Sequence, residues 1–221
     1  MGMKLQKDIS MSQKEKTTQK GKTQNIGAFF DLDHTLLTVN ASVELAKYFL
    51  FHGKISKRMF AYLFFGGLMY ATYLITPEEY ISRHLKMIKG EPLEKYKKAA
   101  NKLFLPNPER FFRKSVVREY YAHKKQGHKV FIITQTYKPI AEYFSNILNP
   151  DELISTEPEI VDGKFTGRGK ICGAHNKYKD VLRMEKKYNL DLSKSYAYTD
   201  SIHDIKMLEK VKNVYVINIK T

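Results

Sequence analysis

Two carboxylates that lie two residues apart, Asp31 and Asp33, directly follow the apolar run Ile26 to Phe30. Such a run predicts a buried strand, and open α/β sheets bind ligands at the carboxyl ends of their strands. One carboxylate can attack phosphorus and carry the phosphoryl group, while a second can protonate the leaving oxygen and then activate water. Two acids this close also favour a cation such as Mg²⁺, which prefers oxygen ligands. The alternative interpretation is a loop with two solvated acids, because acidic turns after strands are common.

A second acidic pair follows another strand pattern near the end of the chain. Asp200 comes shortly after Tyr196 to Tyr198, and Asp204 lies four residues later. This spacing places Asp204 on the first turn of a helix, facing back toward the loop. A capped helix with a favourable acidic first turn would explain the same residues without a site.

Two further residues could complete a site for an anionic group. Thr134 follows the apolar run Val130 to Ile133, where its hydroxyl can donate to a phosphoryl oxygen, although a turn or N-cap role is also compatible. Lys177 offers a cation that would offset the charge of the carboxylates and a phosphate. The chain has 38 lysine and arginine residues, so Lys177 alone carries little information.

The pattern after Gly127 predicts the elements that position these residues. Short apolar strands alternate with helices, which favours an α/β fold with a parallel sheet and right-handed crossovers. We also predict a hairpin over Glu159 to Thr166 that turns at Asp162-Gly163, and a last strand over Val214 to Ile217. Helices are predicted after Pro139, from an N-cap at Asn176 to Tyr188, and over Ile202 to Lys210.

Between the first two core strands the pattern is entirely helical. The first predicted helix covers Ser42 to Phe51, and the next covers Ser56 to Ile75 as one helix or a pair interrupted at Gly66-Gly67. A third is capped by Thr76 and has Pro77 at its first position. Two more begin at Pro92 and at Asn107-Pro108, and the last of these ends at Gly127. We therefore predict a disordered basic tail over residues 1–25, a Rossmann-like α/β core over residues 26–40 and 112–221, and an inserted α-helical cap over residues 41–111.

Charge and cysteine content limit the location and the partners. The net charge of +15 favours an anionic partner or substrate, such as a phosphoester, acidic lipid or nucleic acid, although a basic soluble surface also accounts for it. Cys172 is the single cysteine, which excludes a disulfide within the chain and suits a reducing compartment. The polar N-terminal segment does not resemble a secretory signal. We expect a cytoplasmic location.

One apolar run raises the question of a membrane contact. Met59 to Ile75 holds no charged residue, but it has 17 residues and contains Gly66-Gly67. A spanning helix needs about 20 apolar residues, so we predict buried cap helices. The alternative is an interfacial helix that meets lipid phosphates, with at most a peripheral contact with acidic membranes.

The order of the four chemical elements resembles the haloacid dehalogenase superfamily of hydrolases. The stretches "FFDLDHTLL", "VFIIT", "NKYKDVLRM" and "YTDSIHDIKMLE" are similar to its first, second, third and fourth motifs, and the resemblance runs from about Ile26 to Ile219. The helical insert between the first two motifs further resembles the phosphoserine-phosphatase-like subfamily IB.

This resemblance implies a Mg²⁺-dependent phosphomonoester hydrolase that works through an aspartyl-phosphate. It assigns the nucleophile to Asp31, the acid and base to Asp33, phosphoryl binding to Thr134 and Lys177, metal binding to Asp31, Asp33 and Asp200, and a supporting role to Asp204. Lys179 competes for the role of Lys177, which fits the apolar pattern of the third motif better. The implied partner is a small phosphorylated substrate, with no specific nucleic acid.

Two departures from the subfamily concern the substrate. Phosphoserine phosphatases carry a glutamate that holds the substrate ammonium at the position where this chain has Asn40, and two glycines where it has Gln135-Thr136. We therefore expect Asn40 and Gln135 to contact a different substrate, a small metabolite or a lipid phosphate, and phosphoserine to be a poor one. His34 replaces a common glycine and receives no role. A phosphotransferase or mutase with the same chemistry, and a non-enzymatic basic module that binds membrane or RNA, remain as alternatives.

Overall fold

A six-stranded sheet forms the centre of the protein. The computed structural model describes residues 25–53, 55, 57–72, 74–201, 204 and 209–217. The strands are β1 (Gly27–Phe30), β2 (Lys129–Tyr137), β3 (Glu152–Val161), β4 (Lys164–Lys170), β5 (Tyr196–Thr199) and β6 (Asn213–Val216), in the order β4-β3-β2-β1-β5-β6. All neighbouring pairs are parallel except β3 and β4. The predicted α/β fold with a Rossmann-like parallel sheet is confirmed.

Seven α-helices accompany the sheet in the described part of the chain. They are α1 (Ala41–Phe51), α2 (Lys57–Ala71), α3 (Pro77–Met87), α4 (Leu93–Phe104), α5 (Lys114–Lys125), α6 (Lys138–Leu148) and α7 (Ala174–Tyr188). A short 3₁₀ turn, Pro108–Phe111, lies between α4 and α5. The first five helices lie between β1 and β2 in sequence, and the first four of them fall within the predicted cap over residues 41–111.

The alternation of side chains along each strand produces two hydrophobic layers. Phe29 and Phe131 are fully buried on one face of the sheet, where they belong to the same cluster as Val181 of α7. Phe30 is buried on the opposite face together with Phe144 of α6. The helices therefore cover both faces of the sheet, which is typical of parallel sheets.

The inserted helices share a hydrophobic core with the sheet. Leu45 and Phe49 of α1, Leu85 of α3 and Ala100 of α4 are buried in the cluster that contains Phe30. Burial of a large apolar side chain stabilises a fold by about 1.5–3 kcal/mol, so these contacts hold the helical segment firmly against the core.

Main-chain hydrogen bonds also join the connection between α3 and α4 to the β3–β4 hairpin. The N–H of Gly90 donates to the carbonyl of Phe165 at 2.7 Å, the N–H of Phe165 donates to Glu91 at 3.0 Å, and the N–H of Leu93 donates to Gly163 at 2.9 Å. The hairpin turn itself has left-handed residues at Asp162 and Gly163, with φ of 48° and 72°. The turn position predicted from sequence is confirmed, although both strands are longer than predicted.

Two of the predicted helices differ in the structure. The helix α2 runs through Gly66-Gly67 without interruption, because glycine lowers helix stability by about 1 kcal/mol without forcing a break. The predicted helix from Asn107 to Gly127 is divided, because the chain before α5 pairs with the loop that follows β1: the N–H of Arg113 donates to the carbonyl of Leu36 at 2.8 Å.

The helix α7 begins before the predicted N-cap. Gly173 occupies the N-cap position with φ −86° and ψ 157°, so Asn176 lies inside the first turn. A β-carbon at Gly173 would lie 1.9 Å from an oxygen of the Glu78 side chain, so a larger residue here would require that side chain to move. Strand β2 extends to Tyr137, beyond the predicted end at Ile133.

Two predictions fall wholly or mostly outside the described residues. These are the basic tail before Asn25 and the helix over Ile202 to Lys210, of which only residues 204, 209 and 210 are described.

Among the helices that the structure describes, none combines the length and the apolar content that a membrane crossing requires.

Candidate active site

Three of the predicted site residues lie at the same edge of the sheet. Asp31 directly follows β1, and its N–H donates to the carbonyl of Tyr198 at 2.9 Å. Phe30, the last residue of β1, pairs with Ile132 of β2 and with Tyr198 of β5. Because the neighbouring strands are parallel, Thr134 and Asp200 follow at this edge as well, which is where ligands bind to such sheets.

Lys177 lies between two acids of the acidic cluster, which consists of Asp31, Asp200 and Asp204. Its Nζ lies 2.7 Å from Asp31 Oδ1 and 2.8 Å from Asp204 Oδ2. All three side chains are buried, with residue exposures of 2% for Lys177, 7% for Asp31 and 1% for Asp204. Lys179, the competing lysine of the third motif, is exposed. The helix α7 thus places the ammonium of Lys177 at the carboxyl edge of the sheet.

Asp204 also accepts a hydrogen bond from the strand that precedes it. The hydroxyl of Thr199, at the end of β5, donates to Asp204 Oδ2 at 2.7 Å. The same oxygen therefore receives both the ammonium and the hydroxyl. This arrangement fixes the ammonium of Lys177 between Asp31 and Asp204.

Burial dominates the electrostatics of the cluster. It raises the pKa of Asp31 to about 8, an effect that Lys177 opposes and that Asp204 and Asp200 strengthen. Burial acts to lower the pKa of Lys177, but the two carboxylates outweigh it and raise that pKa. Burial also raises the pKa of Asp200. One ammonium therefore faces three carboxyl groups, and a further cation would offset the remaining negative charge.

Asp33 lies in a different environment from Asp31. Its Oδ1 accepts a hydrogen bond from the N–H of Ala41 at 2.9 Å, and its Oδ2 accepts one from the hydroxyl of Thr136 at 2.5 Å. Burial raises the pKa of Asp33, and these two donors oppose the rise. Asp31 is thus held by an ammonium and Asp33 by neutral donors, so the two acids have different electrostatic environments.

The turn that follows Asp31 directs the side chains of Asp31 and Asp33 to these different partners. His34 has the left-handed values φ 55° and ψ −3°, a conformation that favours glycine and explains why glycine is common here in the superfamily that the motif resembles. Arg113 holds the turn, since its guanidinium donates to the carbonyl of His34 at 2.9 Å and to that of Thr35 at 3.2 Å.

The side chains fit a magnesium ion. The hydroxyl of Thr35 is fully buried and lies 3.5 Å from both Asp31 Oδ2 and Asp200 Oδ1, so these two carboxylates face a common space. Within the described ranges, no three acidic, histidine or cysteine side chains form a metal-binding group. Magnesium commonly takes one or two carboxylates and keeps several waters, so two carboxylates and the predicted backbone carbonyl of Asp33 suit it.

The remaining predicted residues surround this cluster. Thr134 is 1% exposed, and its hydroxyl oxygen accepts a hydrogen bond from the N–H of Thr136 at 3.1 Å while keeping its own proton to donate. Gln135 is half-buried between them. Asn40 caps α1, where its Oδ1 accepts from the N–H of Val43 at 3.0 Å. The Asn40 oxygen therefore serves as the N-cap of α1, and the expected contact of Asn40 with a substrate stays a prediction.

Sequence reasoning missed several residues that hold the site. Thr35, Thr136 and Thr199 each donate a hydroxyl to an acid of the site, and Arg113 holds the turn around His34. The signal for the threonines was their position within two residues of an acid or of Thr134. Arg113 carries no local signal, because it lies 78 residues from Thr35 in sequence.

Known proteins are similar to this chain in sequence. One is a probable phosphatase of Mycobacterium tuberculosis, 24% identical over 86% of this chain and 68% of that protein. Another is a phosphoserine phosphatase of the same organism, 34% identical over 43% of this chain and 32% of that protein.

Solved structures share the fold. A Bordetella pertussis protein of unknown function has a TM-score of 0.76 at 22% identity, covering 88% of this chain and 90% of that one. A phospho-aspartyl intermediate analogue of phosphoserine phosphatase has a TM-score of 0.70 at 17% identity, covering 87% and 86%. The sequence profile of the haloacid dehalogenase-like hydrolases matches residues 28–209, so the first, second, third and fourth motifs all lie within the match. The chain therefore belongs to the haloacid dehalogenase-like hydrolase family.

Proposed function

We propose that the protein is a magnesium-dependent phosphatase that cleaves phosphomonoesters through an aspartyl-phosphate on Asp31. The observation that carries this proposal is the contact of 2.7 Å between Asp31 Oδ1 and Lys177 Nζ at the carboxyl edge of a parallel sheet. The nucleophile is the ionised form of Asp31, which Lys177 favours against the effect of burial and which a bound magnesium ion would favour further. The ammonium of Lys177 can also meet the charge of the phosphoryl group.

In the first step, an oxygen of Asp31 forms a bond to phosphorus, and the bond from phosphorus to the leaving oxygen breaks. Asp33 gives its proton to that oxygen, so the alcohol departs neutral. Burial raises the pKa of Asp33, which increases the fraction that carries a proton near neutral pH. The hydrogen bonds from Ala41 and Thr136 orient the carboxyl group for this transfer.

In the second step, water replaces Asp31 on phosphorus. Asp33, now a carboxylate, takes a proton from the water. The water oxygen bonds to phosphorus, and the bond between phosphorus and Asp31 breaks. Inorganic phosphate leaves, and both acids return to their starting states. Thr134 and Lys177 stabilise the charge on the phosphoryl oxygens during both steps.

Magnesium would be held by the side chains of Asp31 and Asp200 and the backbone carbonyl of Asp33, and would supply positive charge against the phosphoryl oxygens. The support for this assignment is the excess of carboxyl groups over ammonium groups in the cluster.

The test is the Asp31→Asn variant, which keeps the shape of the side chain and removes the nucleophile. We expect the rate of phosphate release from a panel of phosphomonoesters to fall by at least about a thousandfold, with the melting temperature showing a folded protein. Asp162→Asn is the matched control, since Asp162 is an exposed turn residue with φ 48°. Near-wild-type turnover by the Asp31 variant would refute the proposal.

The same panel separates hydrolysis from transfer. A hydrolase releases phosphate and alcohol in equal amounts, whereas a phosphotransferase in the presence of a sugar acceptor releases the alcohol and little phosphate. We expect equal amounts, because Asp33 would activate water in the proposed second step.

A further inference from the structure

A cavity of about 40 Å³ lies between α1, α3, α4 and the start of α6. Its walls are mainly aliphatic and aromatic, including Leu45, Phe49, Ile88 and Ile140. No aspartate, glutamate, lysine or arginine lines it among the described residues. A cavity with such walls favours an uncharged occupant, because a charged group would lose its hydration without gaining a partner.

Two residues of the cavity wall directly follow, in sequence, the residues that hold the proposed general acid. Ala41 and Thr136 hold the two carboxyl oxygens of Asp33. The next residue after each of them, Ser42 and Tyr137, lines the cavity. In the proposed function Asp33 protonates the leaving oxygen, so the group attached to that oxygen extends from Asp33. The cavity is therefore in the right place to receive the leaving group.

The polar groups in the wall are neutral. Burial lowers the pKa of His84 to about 4, so its ring is uncharged at neutral pH. Lys95 Nζ lies 5.5 Å from the ring of Phe49 in the wall and 2.5 Å from Glu91. The carboxylate of Glu91 is therefore already matched by an ammonium group of the protein.

One polar atom of the wall has no partner in the described part of the protein. Tyr137 is 6% exposed, and its hydroxyl is buried without a hydrogen-bond partner among the described residues. A buried hydroxyl left unpaired is costly, so native structures usually supply a partner. An acceptor oxygen on a bound molecule would supply it here. A water molecule or the oxygen of a bound alcohol in the cavity can meet this hydroxyl.

We propose that this cavity binds the leaving group of the substrate and selects phosphomonoesters of uncharged, mainly apolar alcohols. The proposal rests on the proposed phosphatase function and names its substrate class. A buried water needs about 10–15 Å³ of such volume, so the cavity accepts a group of roughly three or four carbon-sized atoms. Phosphoserine, whose leaving group carries an ammonium and a carboxylate, does not match these walls.

The test is a series of alkyl phosphates from methyl to hexyl, with phosphoserine as the charged comparison. Each methylene that enters an apolar site favours binding by about 0.8 kcal/mol, or about fourfold. We expect kcat/KM to rise by about tenfold to a hundredfold along the series and to level off once the cavity is filled. Phosphoserine should be turned over no faster than methyl phosphate.

Two variants on α1 locate the effect. Ala46 lines the cavity, and Ala46→Leu should fill part of it and remove most of the gain with chain length. Val43 is 41% exposed on the same helix, and Val43→Leu is the matched control that should keep the full gain. The wild-type series stands by itself if Ala46→Leu does not fold.

The outcomes separate the two proposals. A rise with chain length that Ala46→Leu abolishes supports the cavity as the leaving-group site. A flat or falling series with clear turnover of methyl phosphate overturns the assignment of the cavity and leaves the phosphatase function standing. A rise that folded Ala46→Leu retains also overturns that assignment. Absence of turnover for every ester overturns both proposals.

Discussion

Lys177→Met removes the only ammonium that the described structure places between Asp31 and Asp204. Lysine and methionine have similar lengths, so the change removes charge with little loss of volume. Two buried carboxyl groups, at 7% and 1% exposure, then have no cation. Removing one partner of a buried ion pair costs about 3–5 kcal/mol, which is a large part of the 5–15 kcal/mol that typically stabilises a domain.

The assay is urea unfolding followed by circular dichroism, in the presence of a chelator so that no divalent cation replaces the ammonium. We expect Lys177→Met to lower the free energy of unfolding by about 3 kcal/mol or more. Lys179→Met is the matched control, because Lys179 is exposed and two residues away in the same helix. It should stay within about 0.5 kcal/mol of the wild type.

A second substitution tests the reason for the loss. Asp204→Asn removes one of the two charges that Lys177 neutralises and keeps an oxygen that can accept from Thr199. We expect the double variant to be at least about 1 kcal/mol more stable than the sum of the single effects predicts, because groups in one ion-pair network couple by about 0.5–3 kcal/mol. A Lys177→Met protein as stable as the wild type, or strictly additive effects, would refute the reasoning.

Three further predictions concern metal, pH and membranes. Chelation should abolish activity and Mg²⁺ should restore it, whereas Ca²⁺, with its larger and looser ligand shell, should not; full activity in chelator would contradict the metal assignment. Burial lowers the pKa of His123 to about 4, below about 6.5 in the unfolded chain, so the free energy of unfolding should fall by roughly 3 kcal/mol as the pH drops from 6.5 to 4, and His123→Gln should flatten that profile. The α2 side chains Phe64 and Phe65 are 62% and 60% exposed, so we expect weak binding to acidic vesicles that about 1 M salt reverses; binding that resists salt and carbonate would contradict a peripheral contact.

Local sequence patterns were sufficient for the elements that carry the acids. The apolar runs before Asp31 and Thr134 became adjacent parallel strands, because short apolar runs that alternate with helices fit only a sheet covered on both faces. Thr76 caps α3 by accepting from the N–H of Glu79 at 3.1 Å, as its capping spacing predicted. The third motif favoured Lys177 over Lys179, and Lys177 is the lysine that contacts Asp31.

Features set by contacts distant in sequence were not predictable in this way. The predicted helix that ends at Gly127 is divided because Arg113 bonds to Leu36, a contact that leaves no local pattern. Strand β2 continues through Thr134, Gln135 and Thr136, although polar residues usually mark a strand end, because Thr136 is needed beside Asp33. The capping role of Asn40 competes with the substrate role that the family comparison suggested.

The hydrogen bonds between the α3–α4 connection and the β3–β4 hairpin bear on which substitutions the helical insert can accept. They join main-chain atoms of Gly90, Glu91 and Leu93 to Gly163 and Phe165, so they depend little on side-chain identity. Gly90 and Gly163 are constrained by their positive φ of 80° and 72°, and the buried side chains of the neighbouring helices are constrained by the core. Substitutions in the wall of the proposed leaving-group cavity can therefore change which alcohol fits without breaking this main-chain attachment of the helical insert to the hairpin.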